Sequence, residues 1–312
     1  MTGKLVTIFG GGGFLGRYVA QELLARGARV RVAERSPTSA VRVKTLGGLG
    51  QVQLVAADVT KPDSVQRAVA GADAAINLVG ILRGDFDRVH RLGAANVAQA
   101  AKAAGIGALV HISAIGADAG SASAYGRSKG DGEVEVRAAF PGAIIIRPSL
   151  VFGREDQFTN RFAALLAMAP VAPVLAGATR FQPVYVVDVA RAIATATLDP
   201  AQFGGKTFEL GGPQVMSMRD IYGFLAGMIG RNPALLPVPD ALGGALASFT
   251  GWMPGAPITR DQWKMLQKDN VVAADAAGLA AFGIAPTPMA AVAESWLVQY
   301  RKHGRFAARV RA

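Results

Sequence analysis

The chain opens on an apolar run, Leu5-Val6-Thr7-Ile8-Phe9, that reads as a short strand, and the glycine turn Gly10-Gly11-Gly12-Gly13 follows it. Beyond the turn the period changes. Phe14, Leu15, Tyr18, Val19, Leu23 and Leu24 fall on one broad face of a helix. Five more apolar runs, at residues 30–33, 53–57, 73–79, 108–112 and 143–146, predict strands. Helical patterns over about residues 86–104 and 125–139 lie between the later runs. Strands alternating with helices predict an α/β fold, a doubly wound parallel sheet covered on both faces. Ligands of such sheets sit outside the carboxyl ends of the strands.

The rhythm breaks after about residue 150. Prolines become frequent, at positions 170, 173, 183, 233, 237, 239, 254 and 257. Val184-Tyr185-Val186-Val187 reads as a strand returning to the sheet, with Asp188 at a helix start. The expected division is therefore a sheet domain over 1–150, rejoined by 181–200, and a smaller irregular region over 151–180 and 201–312.

Composition narrows the chemistry. With 312 residues and 51% hydrophobic content a sizeable core is available. Cysteine is absent, which excludes disulfides, thiolate catalysis, iron–sulfur clusters and Cys-ligated zinc, and fits a reducing compartment. The three histidines, His90, His111 and His303, have no metal-binding spacing. The opening strand pattern predicts no signal peptide, and no apolar run reaches the roughly 20 residues of a spanning helix. A net charge of +11 is that of a basic soluble protein, or else points to an anionic partner such as a membrane surface or an acidic protein. Basic and aromatic residues are not interleaved, so nucleic acid is not expected.

The glycine turn is the first candidate for chemistry. Glycine permits a tight turn and close backbone approach to a pyrophosphate, and the helix start offers free N–H groups and a positive dipole end. The spacing is Gly10-x-x-Gly13-x-x-Gly16. Tyr125-Gly126-Arg127-Ser128-Lys129 is the second candidate. Positions i and i+4 share a helix face, so Lys129 is expected to lower the Tyr125 phenol, which then exchanges a proton beside a carbonyl. Ser113 is the available hydroxyl after the fifth strand, although the position aligned with the usual catalytic hydroxyl holds Ala114; Ser121 and Ser123 are nearby substitutes. Glu34 and Arg35 close the second strand. An acidic residue there binds the ribose 2′-hydroxyl of NAD, and an arginine accommodates the 2′-phosphate of NADP, so the pair leaves both coenzymes open. Asp58 is a candidate acceptor for the adenine amino group, or a turn carboxylate.

Residues 241–253 carry no charge; Leu242, Leu246 and Phe249 follow helical spacing, with Trp252 and Met253 just beyond. The segment is expected to pack within the second region, with an interfacial role as the alternative. The tail joins the face Met289, Val292, Ala293, Trp296 and Tyr300 to the cations Arg301, Lys302, Arg305, Arg309 and Arg311, either a solvated end or a docking element.

Motifs spread nearly end to end carry a family resemblance. They are Gly13-Phe14-Leu15-Gly16-Arg17-Tyr18, Ile76-Asn77-Leu78-Val79-Gly80, the Tyr125 and Lys129 pair, and Ile146-Arg147-Pro148-Ser149-Leu150-Val151-Phe152-Gly153-Arg154-Glu155-Asp156. Gln182-Pro183-Val184-Tyr185-Val186-Val187-Asp188-Val189, Ile258-Thr259-Arg260-Asp261 and Gly283-Ile284-Ala285-Pro286-Thr287-Pro288 complete them. The chain resembles the atypical extended short-chain dehydrogenases/reductases of Rossmann fold, and within them the nucleotide-binding accessory subunits of respiratory complex I and their bacterial relatives. The resemblance implies a tightly held NADP(H), with NAD(H) as the alternative because of Glu34, and an incomplete Ser-Tyr-Lys site. It implies coenzyme contacts at Gly10, Gly13, Phe14, Leu15, Gly16, Glu34, Arg35, Asp58, Val59, Leu78, Val79 and Gly80, and at Tyr125, Lys129, Pro148, Ser149 and Val151. Implied partners are complex I subunits or quinone-synthesis proteins; the expected location is cytoplasmic, with a peripheral position on the inner face of the cytoplasmic membrane as the alternative. A working NAD(P)H-dependent reductase or epimerase for a quinone-like or lipid-like carbonyl is the alternative, using Tyr125, Lys129 and Ser113.

Overall fold

The computed structural model describes residues 3–250 and 258–306. The chain divides into two compact units. The first takes Met1–Pro148, Val186–Leu210 and Ala273–Ala285; the second takes Ser149–Tyr185, Gly211–Val272 and Pro286–Ala312.

The first unit is a parallel sheet of seven strands. These are β1 (Leu5–Phe9), β2 (Arg29–Glu34), β3 (Val52–Ala56), β4 (Ala74–Asn77), β5 (Ala108–Ile112), β6 (Ile144–Pro148) and β7 (Thr207–Leu210), in the order β7-β6-β5-β4-β1-β2-β3. The helices are α1 (Phe14–Ala25), α2 (Pro62–Val69), α3 (Gly93–Ala103), α4 (Ala124–Ala139) and α5 (Val186–Leu198). Strand residues alternate between faces. Phe9, Ala75, Leu109 and Ile145 pack against Val65, Val97, Ala98, Ala101 and Val136 of α2, α3 and α4. Val6, Ile8, Val30 and Ile76 of the sheet are also fully buried, and α5 packs beside α1 and against β4, β5 and β6. Each such Ile, Leu or Val contributes about 1.5–3 kcal/mol through removal from water. The strand order reverses between β1 and β4, where a crevice opens at the carboxyl ends.

The strand expected at 184–187 does not rejoin this sheet. Val184–Tyr185 pairs in parallel with Val151–Phe152 in the second unit, and Val186 starts α5. Val186, Val189, Ala190 and Ile193 are buried at helical spacing, so the β-branched pair at 186–187 belongs to a helix face. Asp188 does sit in the first turn of that helix. The seventh strand is instead Thr207–Leu210, beside β6, from residues assigned to the irregular region by pattern. It buries Phe208 and Leu210 by alternation.

The second unit has its own core. Phe152, Leu166, Ile221, Leu225, Trp296 and Leu297 meet there, contributed partly by helices Gln157–Met168 and Met218–Met228. Met289, Ala293 and Trp296 of the tail face join this core, with Val292 and Tyr300 against it. The charge-free segment departs from expectation. Helix Asp240–Thr250 buries Ala247, and its Gly243 lies against the Trp263 ring, yet Leu242 and Phe249 stay well exposed. Absence of charge marks an apolar face without saying that the unit covers it. Trp252 and Met253 lie outside the described residues. Arg301 is not a solvated tail cation either, for its guanidinium donates to the Met228 carbonyl and to Glu294. Lys302 is exposed; the Arg305 side chain, Arg309 and Arg311 lie outside what the structure describes.

Candidate functional site

A cleft of about 810 Å³ lies over the switch point of the sheet. Gly10 and Gly13 line it between two groups of residues, Glu34, Arg35, Asp58 and Val59 after β2 and β3, and Leu78, Val79 and Gly80 after β4. Gly10 takes a φ of +81°, in the left-handed region that glycine favours. A Cβ on Gly16 would collide with the Gly10 carbonyl oxygen, so α1 can start this close to the turn only with glycine there. The helix carries no side-chain cap and no acidic residue in its first turn. The amides of Phe14, Leu15 and Gly16 are thus the free donors of a helix start, aimed where a phosphate fits. A bare glycine loop, an uncapped helix terminus and a switch-point cleft fit a dinucleotide.

Past β2, Glu34 is turned toward the glycine loop, where its Oε1 accepts the Gly12 N–H at 2.7 Å. Arg35 is exposed on the same wall, and Ser39 also lines the cleft. Asp58 is a turn carboxylate, with Oδ1 accepting the Thr60 N–H at 2.9 Å and the Thr60 hydroxyl at 2.8 Å. Burial raises its pKa, but the Thr60 bonds and the Lys61 and Arg35 charges outweigh it and hold the carboxyl below its usual value. Both bonds go to one oxygen, and Asp58 lines the cleft.

Tyr125 and Lys129 both lie on α4, but not as a phenol activated by an ammonium. Burial of its hydroxyl pushes Tyr125 up to about 12. Burial pulls Lys129 down to about 8, against the opposing charge of Glu133. The Lys129 Nζ donates to the Ile112 carbonyl at 3.0 Å. Lys129 still carries its charge at neutral pH, but the phenol's own desolvation dominates and holds Tyr125 above its ordinary value. Ser113 is buried, and its Oγ has no hydrogen-bond partner among the described residues. Ser121 and Ser123 have local bonding roles at the start of α4. Ser123 caps α4 by accepting the Gly126 N–H, and Ser121 accepts the Ser123 N–H. Pro148 ends β6, where its carbonyl accepts the Ile115 N–H. Ser149 and Val151 belong to the second unit. The Ser149 hydroxyl binds the Asn270 backbone and side-chain oxygens at 2.8 and 2.7 Å, and Val151 pairs with Val184.

Several polar residues of the site had no sequence signal as a group. Asn77 Oδ1 accepts the Val79 N–H, and its Nδ2 donates to His111 Nδ1 at 3.2 Å. That bond leaves the proton on His111 Nε2, which is buried without a partner among the described residues. His90 sits in a π-helical turn, Asp87–Leu92, just before α3. Its Nε2 accepts the Ile81 N–H at 2.9 Å, and its Nδ1 meets Ser128 Oγ at 2.9 Å. Burial, then the Lys129 charge, drives His90 down to about 3. His111 falls to about 3 from burial, then Lys129, then His90. Below them Glu133 forms a two-pronged pair with Arg147, at 2.8 and 2.7 Å, and Arg147 reaches Glu209 at 3.4 Å. Ser128 between Tyr125 and Lys129, and His111 inside an apolar run, were the available hints.

The fold and the cleft define a Rossmann-type protein with the side-chain pair of an extended short-chain dehydrogenase. Residues 6–211 match the NAD dependent epimerase/dehydratase family, and the chain belongs to that family. It is 36% identical over 296 residues to mitochondrial NADH dehydrogenase (ubiquinone) 1 alpha subcomplex subunit 9 of Mus musculus, covering 93% of this chain and 78% of that protein. It is 32% identical to the ceramide reductase of Caulobacter vibrioides, covering 76% of this chain and 74% of that one. An NADPH-dependent quinone oxidoreductase of Escherichia coli, solved with NADPH, overlays at a TM-score of 0.76 across 94% of this chain and 99% of that one. At 20% identity that likeness establishes the fold alone.

Proposed function

We propose that this protein is a nicotinamide-nucleotide-binding accessory subunit of respiratory NADH dehydrogenase, with weak or no turnover of its own. The state of the reaction centre carries this reading. Ala114 supplies no hydroxyl, Tyr125 holds its proton to about 12, and Lys129 commits a donor to the Ile112 carbonyl. Similarity to alpha subcomplex subunit 9 proteins along 93% of the chain supports it. The coenzyme is NADP(H) in preference to NAD(H). Glu34 is bound to Gly12, and Arg35 is exposed on the cleft wall to meet a 2′-phosphate. When bound, the coenzyme supplies a nicotinamide able to carry a hydride. The free amides at the start of α1 would hold its pyrophosphate, in a cleft that Gly80 also lines.

Complex I subunits are the proposed partners, with quinone-synthesis proteins as the other candidates on the same branch. A charge of +11 favours an anionic surface and supports a peripheral position on the inner face of the cytoplasmic membrane. Among the described residues no helix is long and apolar enough to cross one.

A second reading is an NAD(P)H-dependent reductase or epimerase for a lipid-like or quinone-like carbonyl. The similarity to a ceramide reductase and the unpartnered Ser113 hydroxyl favour it. Native mass spectrometry of the purified protein identifies the coenzyme, and capture from detergent extracts reads the partners. Complex I subunits should follow the wild type and Tyr125→Phe but not Gly13→Asp, which sets a carboxylate against the pyrophosphate. NADPH oxidation by a quinone or ceramide-like ketone, abolished in Tyr125→Phe, would overturn the accessory reading in favour of the enzyme.

A further inference from the structure

We propose that His90 is a positioning residue that ties the coenzyme-facing loop at Gly80 to the helix bearing Tyr125. The inference rests on the reading of the cleft as a nicotinamide-coenzyme site. Three observations meet at this side chain. First, its Nε2 accepts the Ile81 N–H at 2.9 Å, while Asn77 Oδ1 accepts the Val79 N–H at 3.1 Å. The two bonds pin the backbone on either side of Gly80, which lines the cleft. Lys129 Nζ lies close beneath, 3.4 Å from where a Cβ on Gly80 would stand.

Second, the hydrogen-bond roles run in one direction. Nε2 is an acceptor, so Nδ1 bears the proton and donates it to Ser128 Oγ at 2.9 Å. Ser128 in turn donates to the Tyr125 carbonyl at 2.8 Å. A side chain that only filled space would not need an acceptor toward the loop and a donor toward α4. Third, the ring is locked as an aromatic wedge. Phe86 stacks on it at 5.5 Å, and the Tyr125 ring stands perpendicular to it at 5.4 Å. The π-helical turn that carries His90 is a geometry often found at functional sites. Gly132 of α4 leaves no room for a Cβ beside the His90 carbonyl, so α4 lies directly on this turn. His90 is 2% exposed, yet each of its polar atoms has a partner.

Loop position and phenol orientation are therefore coupled through one neutral ring. Loss of its two bonds frees the Ile81 amide and leaves the Ser128 hydroxyl beside Tyr125 without its donor, with no change in any charge.

The test compares wild type, His90→Phe and His90→Gln by calorimetry with NADPH and NADH, alongside the apo melting temperature. Phenylalanine keeps a ring without either hydrogen bond; the glutamine amide offers an acceptor and a donor from one terminus. His90→Phe should bind the preferred coenzyme about tenfold more weakly, as expected for losing a bond to a buried amide, and His90→Gln should recover most of that loss. Emission of the bound reduced nicotinamide should also shift in His90→Phe and return in His90→Gln. Long-range proton–nitrogen NMR should show the Nδ1–H tautomer of His90. Wild-type affinity and emission in a folded His90→Phe would overturn the link while leaving the coenzyme reading intact. A wild type that ignores both coenzymes would overturn the reading itself, and this inference with it. Should His90→Phe fail to fold, Ser128→Ala decides: weakened binding at an unchanged melting temperature supports the link, and unchanged binding refutes it.

Discussion

Glu34 and Gly12 are joined across the mouth of the coenzyme cleft, carboxylate oxygen to amide N–H at 2.7 Å. The bond redirects an acidic residue at a position that otherwise meets the ribose 2′-hydroxyl. Its charge nonetheless remains close to where a 2′-phosphate would sit. Glu34→Gln keeps an acceptor for Gly12 and removes the charge, so it should improve NADPH binding several-fold and leave NADH binding nearly unchanged. Arg35→Ala should weaken NADPH alone, by about tenfold or more if the guanidinium makes a charge-assisted bond to the phosphate. Calorimetric titration of both coenzymes reads this directly. Equal losses for both coenzymes in Arg35→Ala would remove Arg35 from the discrimination.

Glu133, 5% exposed, and the half-buried Arg147 form a pair with two parallel bonds. Glu133→Gln leaves Arg147 only Glu209, at 3.4 Å. Breaking one side of a buried pair costs about 3–5 kcal/mol. Urea unfolding should show a loss of that order. Replacing both members, Glu133→Leu with Arg147→Met, should recover part of it, because the most buried charge leaves with its partner and only the partly buried Glu209 loses a cation. A single variant as stable as wild type would show that water reaches the pair freely.

The local part of this site was legible in the sequence, and the assembled part was not. β1, the glycine turn and α1 declare themselves because each period is set by neighbours in the chain. Ser113, Tyr125 and Lys129 could be found by spacing from the fifth strand. His90 could not: its partners Ile81 and Ser128 lie 9 and 38 positions away, and only folding brings them to one ring. The same limit explains the run at 184–187. Its β-branched residues suit a strand, but burial at Val189, Ala190 and Ile193 makes Val186 the start of a helix. Tyr125 shows a further limit. Spacing places a phenol near an ammonium, while burial, which spacing cannot report, decides the protonation of both.

Acid should weaken the fold through two histidines. His90 and His111 lie far below their ordinary 6.5 in the folded state, at about 3 each, chiefly through burial. The unfolded chain therefore binds protons that the folded chain refuses across that window. Stability is full above about pH 6.5 and falls as pH drops toward 3, by about 1.4 kcal/mol per unit for each histidine. Melting temperature should decline from pH 7 to 4.5, and His111→Asn should flatten the slope. A melting temperature that rises on acidification over this range would contradict the buried neutral state of both rings.

Ala114→Ser tests the proposal that turnover is weak. It returns a hydroxyl to the half-buried position just after Ser113, where an active reductase of this fold orients its carbonyl. If the missing hydroxyl were the whole defect, the variant would gain the factor of roughly 10²–10⁴ that a positioned proton-transfer group supplies. Two other defects stand in the way. The Tyr125 phenol remains at about 12, and a Lys129 donor remains on the Ile112 carbonyl. Neither is touched by the new serine. The expected gain in NADPH oxidation with quinone or ketone acceptors is therefore below about tenfold, set against that range for an intact acid–base pair. A gain of hundreds-fold would mean that coenzyme binding itself relieves the burial of Tyr125, and the accessory reading would give way to a reductase lacking one hydroxyl.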